Sequence, residues 1–190
     1  MDSQNVSAAL IKATKKGKIK KVHKLLKIPG IDVNYRDRSH KETALMFAAR
    51  LGHIEIALAL LSAGADINLV DNLGQTALWK ATGSLELYDL HYNVAGSNII
   101  AAPMVRVLLD AGAEVNCPDF DGNTPLINAI GNYDDIVDLL LAVPGIDVTS
   151  RAADKWTPLM CAKEHRNSKI IQKLIALGAT HETQEYVVHE

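Results

Sequence analysis

Seven histidines and two cysteines are the residues of this 190-residue chain best suited to chemistry. The histidines stand at 23, 40, 53, 91, 165, 181 and 189, and none of them forms a helix-spaced metal pair. Cys117 and Cys161 have neither metal-site nor disulfide-framework spacing. One bridge between them is formally open, and reduced, packed thiols are the expectation. There is no glycine-rich phosphate loop and no G-x-S-x-G elbow. The acids within 110–147 lack calcium-loop spacing. The sequence therefore predicts a protein that is not an enzyme, with no catalytic residue, metal, cofactor or small-molecule substrate.

Recognition chemistry is left, and the charges are arranged for it. The net charge of −2 hides an asymmetry: residues 1–41 carry +8 and residues 42–190 carry −10. Lys12, Lys15, Lys16, Lys20 and Lys21 make a basic patch at one end. Between Arg106 and Arg151 lie eight acids and no base. Lysines near the end of a first helix suit the helix dipole, so a solvated capping face is one reading. An acidic protein, RNA or an anionic lipid surface is the other. Few aromatics lie among those lysines, which disfavours a base-stacking platform.

The elements that must position these groups repeat. Thr43-Ala44-Leu45, Thr76-Ala77-Leu78, Thr124-Pro125-Leu126 and Thr157-Pro158-Leu159 line up, with steps of 33, 48 and 33 between their threonines. Five residues after each Thr comes an alanine: Ala48, Ala81, Ala129, Ala162. Apolar pairs follow at Leu60-Leu61, Leu108-Leu109, Leu140-Leu141 and Leu174-Ile175, and then a turn such as "AGADIN" (63–68) or "AGAEVN" (111–116). The Thr predicts an N-cap, Pro125 and Pro158 a first helical turn, and Gly64 a helix stop. A second helix is predicted to repeat Ile54, Ala57, Leu58 and Leu61 on its packed face. With 5% aromatics, closely packed aliphatic helices are expected rather than a thick sandwich.

These segments resemble the ankyrin repeat. "DNLGQTALWKA" (71–81) and "DFDGNTPLINA" (119–129) match its turn-plus-helix opening, and "GHIEIALALLSAGADIN" (52–68) its second helix and closing turn. The resemblance implies an all-α repeat solenoid of stacked helix-turn-helix units with short β-turn or hairpin tips. It implies five repeats in one domain, 1–180, with units at about 5–36, 37–70, 71–118, 119–151 and 152–180. The first is degenerate, with Ala8-Ala9-Leu10 for Thr-Pro-Leu, and 181–190 is a C-terminal tail. Polar end units are expected to close the stack, supplied at the far end by Lys169, Gln172 and Lys173. His53 stands where the family pattern has histidine, which implies a structural role.

The resemblance also implies a protein-interaction module whose partner lies across the concave face and turn tips. Contact positions carried over residue by residue are Arg38, Ser39, His40, Arg50 and Leu51, then Asn72 and Leu73, then Phe120, Asp121 and Asn132, then Asp154 and Trp156. Glu42, Gln75, Asn123, Gly131, Ala153, Glu164 and His165 hold the same kind of position. Phe120 is expected at an exposed tip, either packed on the neighbouring turn or free as an anchor. Trp156 either packs under the tail, on Tyr186, or anchors a partner. Trp79, in place of the family's usual histidine, is expected in the core. Two turns lack the family glycine: Lys155 takes its place in one, and "DRSHKET" (37–43) is one residue longer. A residue with positive φ there would carry strain.

Residues 83–103 use 21 positions where the second unit uses six. The expectation is that they lengthen the first helix, loop back through "AGSN" and open the second helix at Pro103. Tyr88, His91 and Tyr92 then either pack on the array or enlarge its binding surface. The "PGIDV" closing turn (29–33, 144–148) resembles arrays of bacteria and protists. That implies a bacterial effector delivered into a host cell without a Sec-type signal as an alternative to a cytoplasmic protein. The alternative to protein binding is an adaptor held to an anionic membrane surface or nucleic acid through the lysines.

Overall fold

A computed structural model of the chain describes residues 3–83 and 97–180. Helices fill it in a regular order: α1 (Ser3–Lys15), α2 (Ile19–Leu26), α3 (Ala44–Arg50), α4 (Ile54–Ser62), α5 (Ala77–Thr82), α6 (Ser97–Asp110), α7 (Pro125–Ala129), α8 (Asp134–Leu141), α9 (Pro158–Glu164) and α10 (Ser168–Ala176). No strand occurs among the described residues. Each odd-numbered helix packs against the even-numbered one that follows. Odd helices stack on odd helices along an inner row, α1 to α9, while α2, α4, α6 and α8 stack behind them. The fold is an all-α repeat solenoid.

Local chemistry starts each inner helix. Thr43, Thr76, Thr124 and Thr157 hold extended backbone and accept from the N–H three residues on, at 3.1–3.4 Å. Pro125 and Pro158 follow as first helical residues, where the absent N–H is not missed. The recurrent alanines are almost wholly enclosed: Ala48, Ala129 and Ala162 at 0% exposure and Ala81 at 4%. Their small side chains let neighbouring units approach closely. In each apolar pair the first member is fully buried, Leu60, Leu108, Leu140 and Leu174 alike.

Two lateral ladders bind one unit to the next. At the tips, Asn72 N–H donates to the His40 carbonyl, Phe120 N–H to Leu73 and Ala153 N–H to Asp121, at 2.7–2.9 Å. At the closing turns, Asn34, Asn68 and Asn116 side chains accept from the N–H groups of Asp66, Glu114 and Asp147. Asparagine at the end of "AGADIN" is thus a cross-unit clamp. Within the tips, the carboxylates of Asp37, Asp71 and Asp119 each accept two N–H groups of their own turn.

Several expectations are corrected. The packed face of α4 is Ile56, Ala57 and Leu60, while Leu58 is 48% exposed. Almost every residue of α4 is apolar, so spacing alone did not select the face; neighbours on both sides did. Lys169 and Lys173, expected to supply a polar end face, stay partly exposed. Both reach Asp138 of α8, and these hydrogen bonds, Lys173 first, hold that carboxyl below its usual pKa. The last helix and its C-cap leave Ile175 and Leu177 exposed. The first helix of the third unit is not lengthened, since α5 ends at Thr82 and Gly83 is extended. Pro103 does not open the following helix either. That helix starts at Ser97, and Pro103 lies inside it. Tyr88, His91 and Tyr92 lie outside the described residues, as does the tail with Tyr186.

The two turns without glycine carry the expected strain. Lys41 has φ +61° and Lys155 φ +68°, where Gly74 and Gly122 have +79° and +78° in the equivalent place. Side chains rarely adopt this region, and doing so costs about 1–2 kcal/mol. Lys155→Gly is expected to raise unfolding free energy by about 0.5–1 kcal/mol after its added unfolded-state entropy is subtracted. Urea unfolding of the two proteins measures this directly.

Candidate functional site

The inner helices and tips enclose a concave groove made of two adjoining clefts. The first, about 630 Å³, is lined by Lys15, Ser39, His40, Phe47, Arg50, Leu73, Trp79 and Lys80 among others. The second, about 640 Å³, includes Trp79, Asp121, Asn132, Trp156, Glu164 and His165. Gln75, Trp79, Asn128 and Asn132 belong to both, so the two are continuous.

The first cleft has a charged floor. Phe47 is 2% exposed, with the Lys15 ammonium 3.9 Å from its ring centroid and the Arg50 guanidinium 5.2 Å away. Such cation–π contacts desolvate the charges partially and hold them in place. Behind them, Lys80 joins Asp71 at 2.7 Å, Glu42 at 3.4 Å and the Gln75 amide oxygen at 2.6 Å. Arg50 lies 3.6 Å from Glu42, and its buried Nε–H has no hydrogen-bond partner. Asp37, His40 and Glu42 place one possible metal-ligand atom each within 4.8 Å of one another. The Asp37 carboxylate serves the turn, however, accepting from the His40 and Glu42 N–H groups and the Ser39 hydroxyl, while Lys15 presses on Asp37 and Arg50 and Lys80 on Glu42. Burial pushes the Asp37 carboxyl up. The N–H of His40, the Ser39 hydroxyl and the N–H of Glu42 outweigh it, and the net pKa is lowered.

The middle of the groove is fixed by side chains distant in sequence. Trp79 donates its Nε1–H to the Asn123 carbonyl of the next tip at 3.0 Å. Asn128 returns its amide N–H groups to the Trp79 carbonyl at 3.1 Å and the Thr82 hydroxyl at 3.2 Å. Trp79 is therefore a half-buried wall of the groove, not a core residue as expected. It supports the turn base while leaving indole surface open. Cys161, in the second cleft, has its thiol pKa pushed up to about 11, by burial first and by the Asp154 charge second. That disfavours the thiolate a nucleophile needs. Cys117 is also a free thiol with a raised pKa.

Among the contact positions expected from sequence, Ser39, His40, Arg50, Leu73 and Asn132 line the first cleft, and Asp121, Asn132 and Trp156 the second. Leu51, Asn72 and Asp154 line neither cleft. Phe120 is also outside them, at a tip, 73% exposed with its ring over Gly74. Arg38 faces a separate cleft at the α1 end with Gln4, Asn5 and Tyr35. Lys12, Lys16, Lys20 and Lys21 remain exposed on and between α1 and α2, whereas Lys15 leaves the patch and enters the groove. Phe47, Trp79, Lys80 and Asn128 were not among the expected contacts. Their place in the lining depends on the shape of the next unit, which no local pattern encodes. His53 lies outside both clefts, half-buried against Gly17, and burial lowers its pKa. No helix among the described residues is long and apolar enough to cross a membrane.

Comparison with known proteins agrees with this architecture. The model for ankyrin repeats (3 copies) matches residues 10–94 and 90–185. Over 56 residues the chain is 43% identical to Protein HOS4 of Saccharomyces cerevisiae, a match covering 30% of this chain and 5% of that protein.

Proposed function

Because this chain belongs to the ankyrin-repeat family, whose repeats generally mediate protein–protein interaction, we propose that its five helix pairs are five repeats presenting one continuous groove to a protein partner. The observation that carries the reading is that groove: two adjoining clefts with two half-buried tryptophans, Trp79 and Trp156, in their walls, and Phe47 enclosed beneath Lys15 and Arg50. Aromatic anchors in partly desolvated pockets commonly dominate interface energetics. The ends differ in charge, with Lys15 and Arg50 at one and Asp121 and Glu164 at the other, so partner orientation is set electrostatically. Phe120, exposed at a tip beside Leu73, extends the apolar surface beyond the rim.

The test compares partners captured in the native cell by wild type and by Phe120→Ala with Trp156→Ala. Loss or at least about tenfold weakening of specific partners is expected. Capture of every partner at wild-type level would refute the groove assignment. The lysine-rich end supports the alternative adaptor reading, because Lys12, Lys16, Lys20 and Lys21 stay exposed. Delivery into a host cell rests on the "PGIDV" form of the closing turn and on the glutamates of residues 181–190.

A further inference from the structure

We propose that the half of the groove between Trp79 and Trp156 is a subsite for one basic side chain, lysine or arginine, of an extended partner segment. The proposal rests on the groove reading above and adds the chemistry of its occupant. Trp79 and Trp156 are the chain's two tryptophans, and both line this half, as do Asp119, Asp121 and Glu164. No lysine or arginine lines it; His165 is the one basic-type side chain there. Asp119 is spent on its own turn, accepting N–H groups from Asp121 and Asn123. The Asp121 and Glu164 carboxylates are exposed and form no ion pair among the described residues. Aromatic faces beside carboxylates in a partly enclosed cleft attract cations.

The other half of the groove supplies an internal comparison. There the aromatic ring is Phe47, and the protein's own Lys15 and Arg50 already sit over it. Among the described residues no cation occupies the corresponding place over Trp79 or Trp156. On the Trp79 side the sequence has the same sign, since no Lys or Arg occurs between Arg106 and Arg151 while eight acids do; on the Trp156 side Lys155, Lys163 and Arg166 lie near in sequence but do not line the cleft. A basic partner residue would therefore meet attraction from the carboxylates that line the cleft, whereas an acidic one would meet repulsion there. The inner helices α3, α5, α7 and α9 stack at roughly 8–10 Å per step. From Arg50 on α3 to Glu164 on α9 is thus roughly 27 Å, or about eight residues of extended chain at roughly 3.3 Å each.

The probe that fits is a randomised octapeptide library selected on the whole 190-residue protein. Selected peptides are then titrated by intrinsic fluorescence, because both tryptophans lie in the subsite. The selected sequences are expected to share a Lys or Arg at one position. Replacing it with Gln should weaken binding about tenfold, and Asp121→Asn with Glu164→Gln in the protein should do the same. Trp156→Phe should lose less than Trp156→Ala. Asp121 and Glu164 are exposed, so their variants keep the fold, and a thermal melt verifies it. If selected peptides depend on Arg50 or Phe120 but are indifferent to their basic residue, the inference falls and the groove reading stands. If no selected peptide depends on any groove residue, both fall. A basic peptide that binds the Trp156→Ala, Asp121→Asn, Glu164→Gln protein undiminished is held by the general field, and this too overturns the subsite.

Discussion

Lys80→Met is expected to lower the unfolding free energy by about 3–5 kcal/mol. The Lys80 side chain is 11% exposed, and its carboxylate neighbours are more enclosed, Asp71 at 1% and Glu42 at 6%. Removing the ammonium leaves two buried carboxylates facing each other without it. Asp71 keeps the N–H groups of Leu73 and Gln75, and Glu42 keeps a long contact to Arg50. Those remaining partners place the effect toward the lower end of the range. For a chain of this size, each kcal/mol shifts the midpoint by roughly 2–4 °C, so a drop on the order of 10 °C is expected. Adding Asp71→Asn to Lys80→Met should recover part of the loss, since the more deeply buried carboxylate is then neutral while Glu42 keeps its pairing with Arg50. A single variant within about 1 kcal/mol of wild type would mean that the cluster behaves like surface ion pairs, which contribute little.

Gly74→Ala is the second large effect, about 3 kcal/mol, and it isolates how the tips are joined. Gly74 has φ +79°, which for alanine costs about 1–2 kcal/mol. A Cβ there would also lie 2.7 Å from Phe120 Cδ1 and 2.8 Å from the Phe120 backbone nitrogen. The ring can swing away, but the backbone nitrogen cannot without disturbing its 2.9 Å hydrogen bond to the Leu73 carbonyl. Gly64 is the control, because it has φ +85° and nothing within 4 Å of an added Cβ. Gly64→Ala should therefore cost only the conformational part, about 1–2 kcal/mol. Chemical denaturation of both variants gives the difference, which is the cost of forcing two tips apart. Equal losses would show that the tip contact contributes nothing.

The repeat could be read along the chain because its determinants are local. A threonine caps the helix three residues ahead, a proline suits the first turn, and an alanine at fixed offset faces the neighbouring unit whatever that unit contains. The buried leucine of each apolar pair follows from the same register. Where almost every residue of a helix is apolar, as in α4, periodicity loses its power to separate the packed Ala57 from the exposed Leu58. Pro103 likewise has the residue type of a helix start, yet a helix that forms earlier can carry it inside.

The groove was legible only in outline. Contact positions came from the family resemblance, and among them Ser39, His40, Arg50, Asp121 and Trp156 line the clefts. It did not separate Arg38 from Ser39, although one faces the end cleft alone and the other also faces the groove. Nor did it distinguish Lys15 from the lysines around it. That choice depends on a phenylalanine 32 residues away and an aspartate 22 residues away. Trp79 turns from core residue to wall because Asn123 and Asn128, more than 40 residues on, hold its two ends. The sequence by itself determined the repeat register, the helix caps and the polarity of charge from one end to the other, since each is a sum over neighbours in the chain. The tertiary structure alone decided which charges neutralise one another and which aromatic faces stay open, because those follow from the distance between units rather than from the order of residues within one.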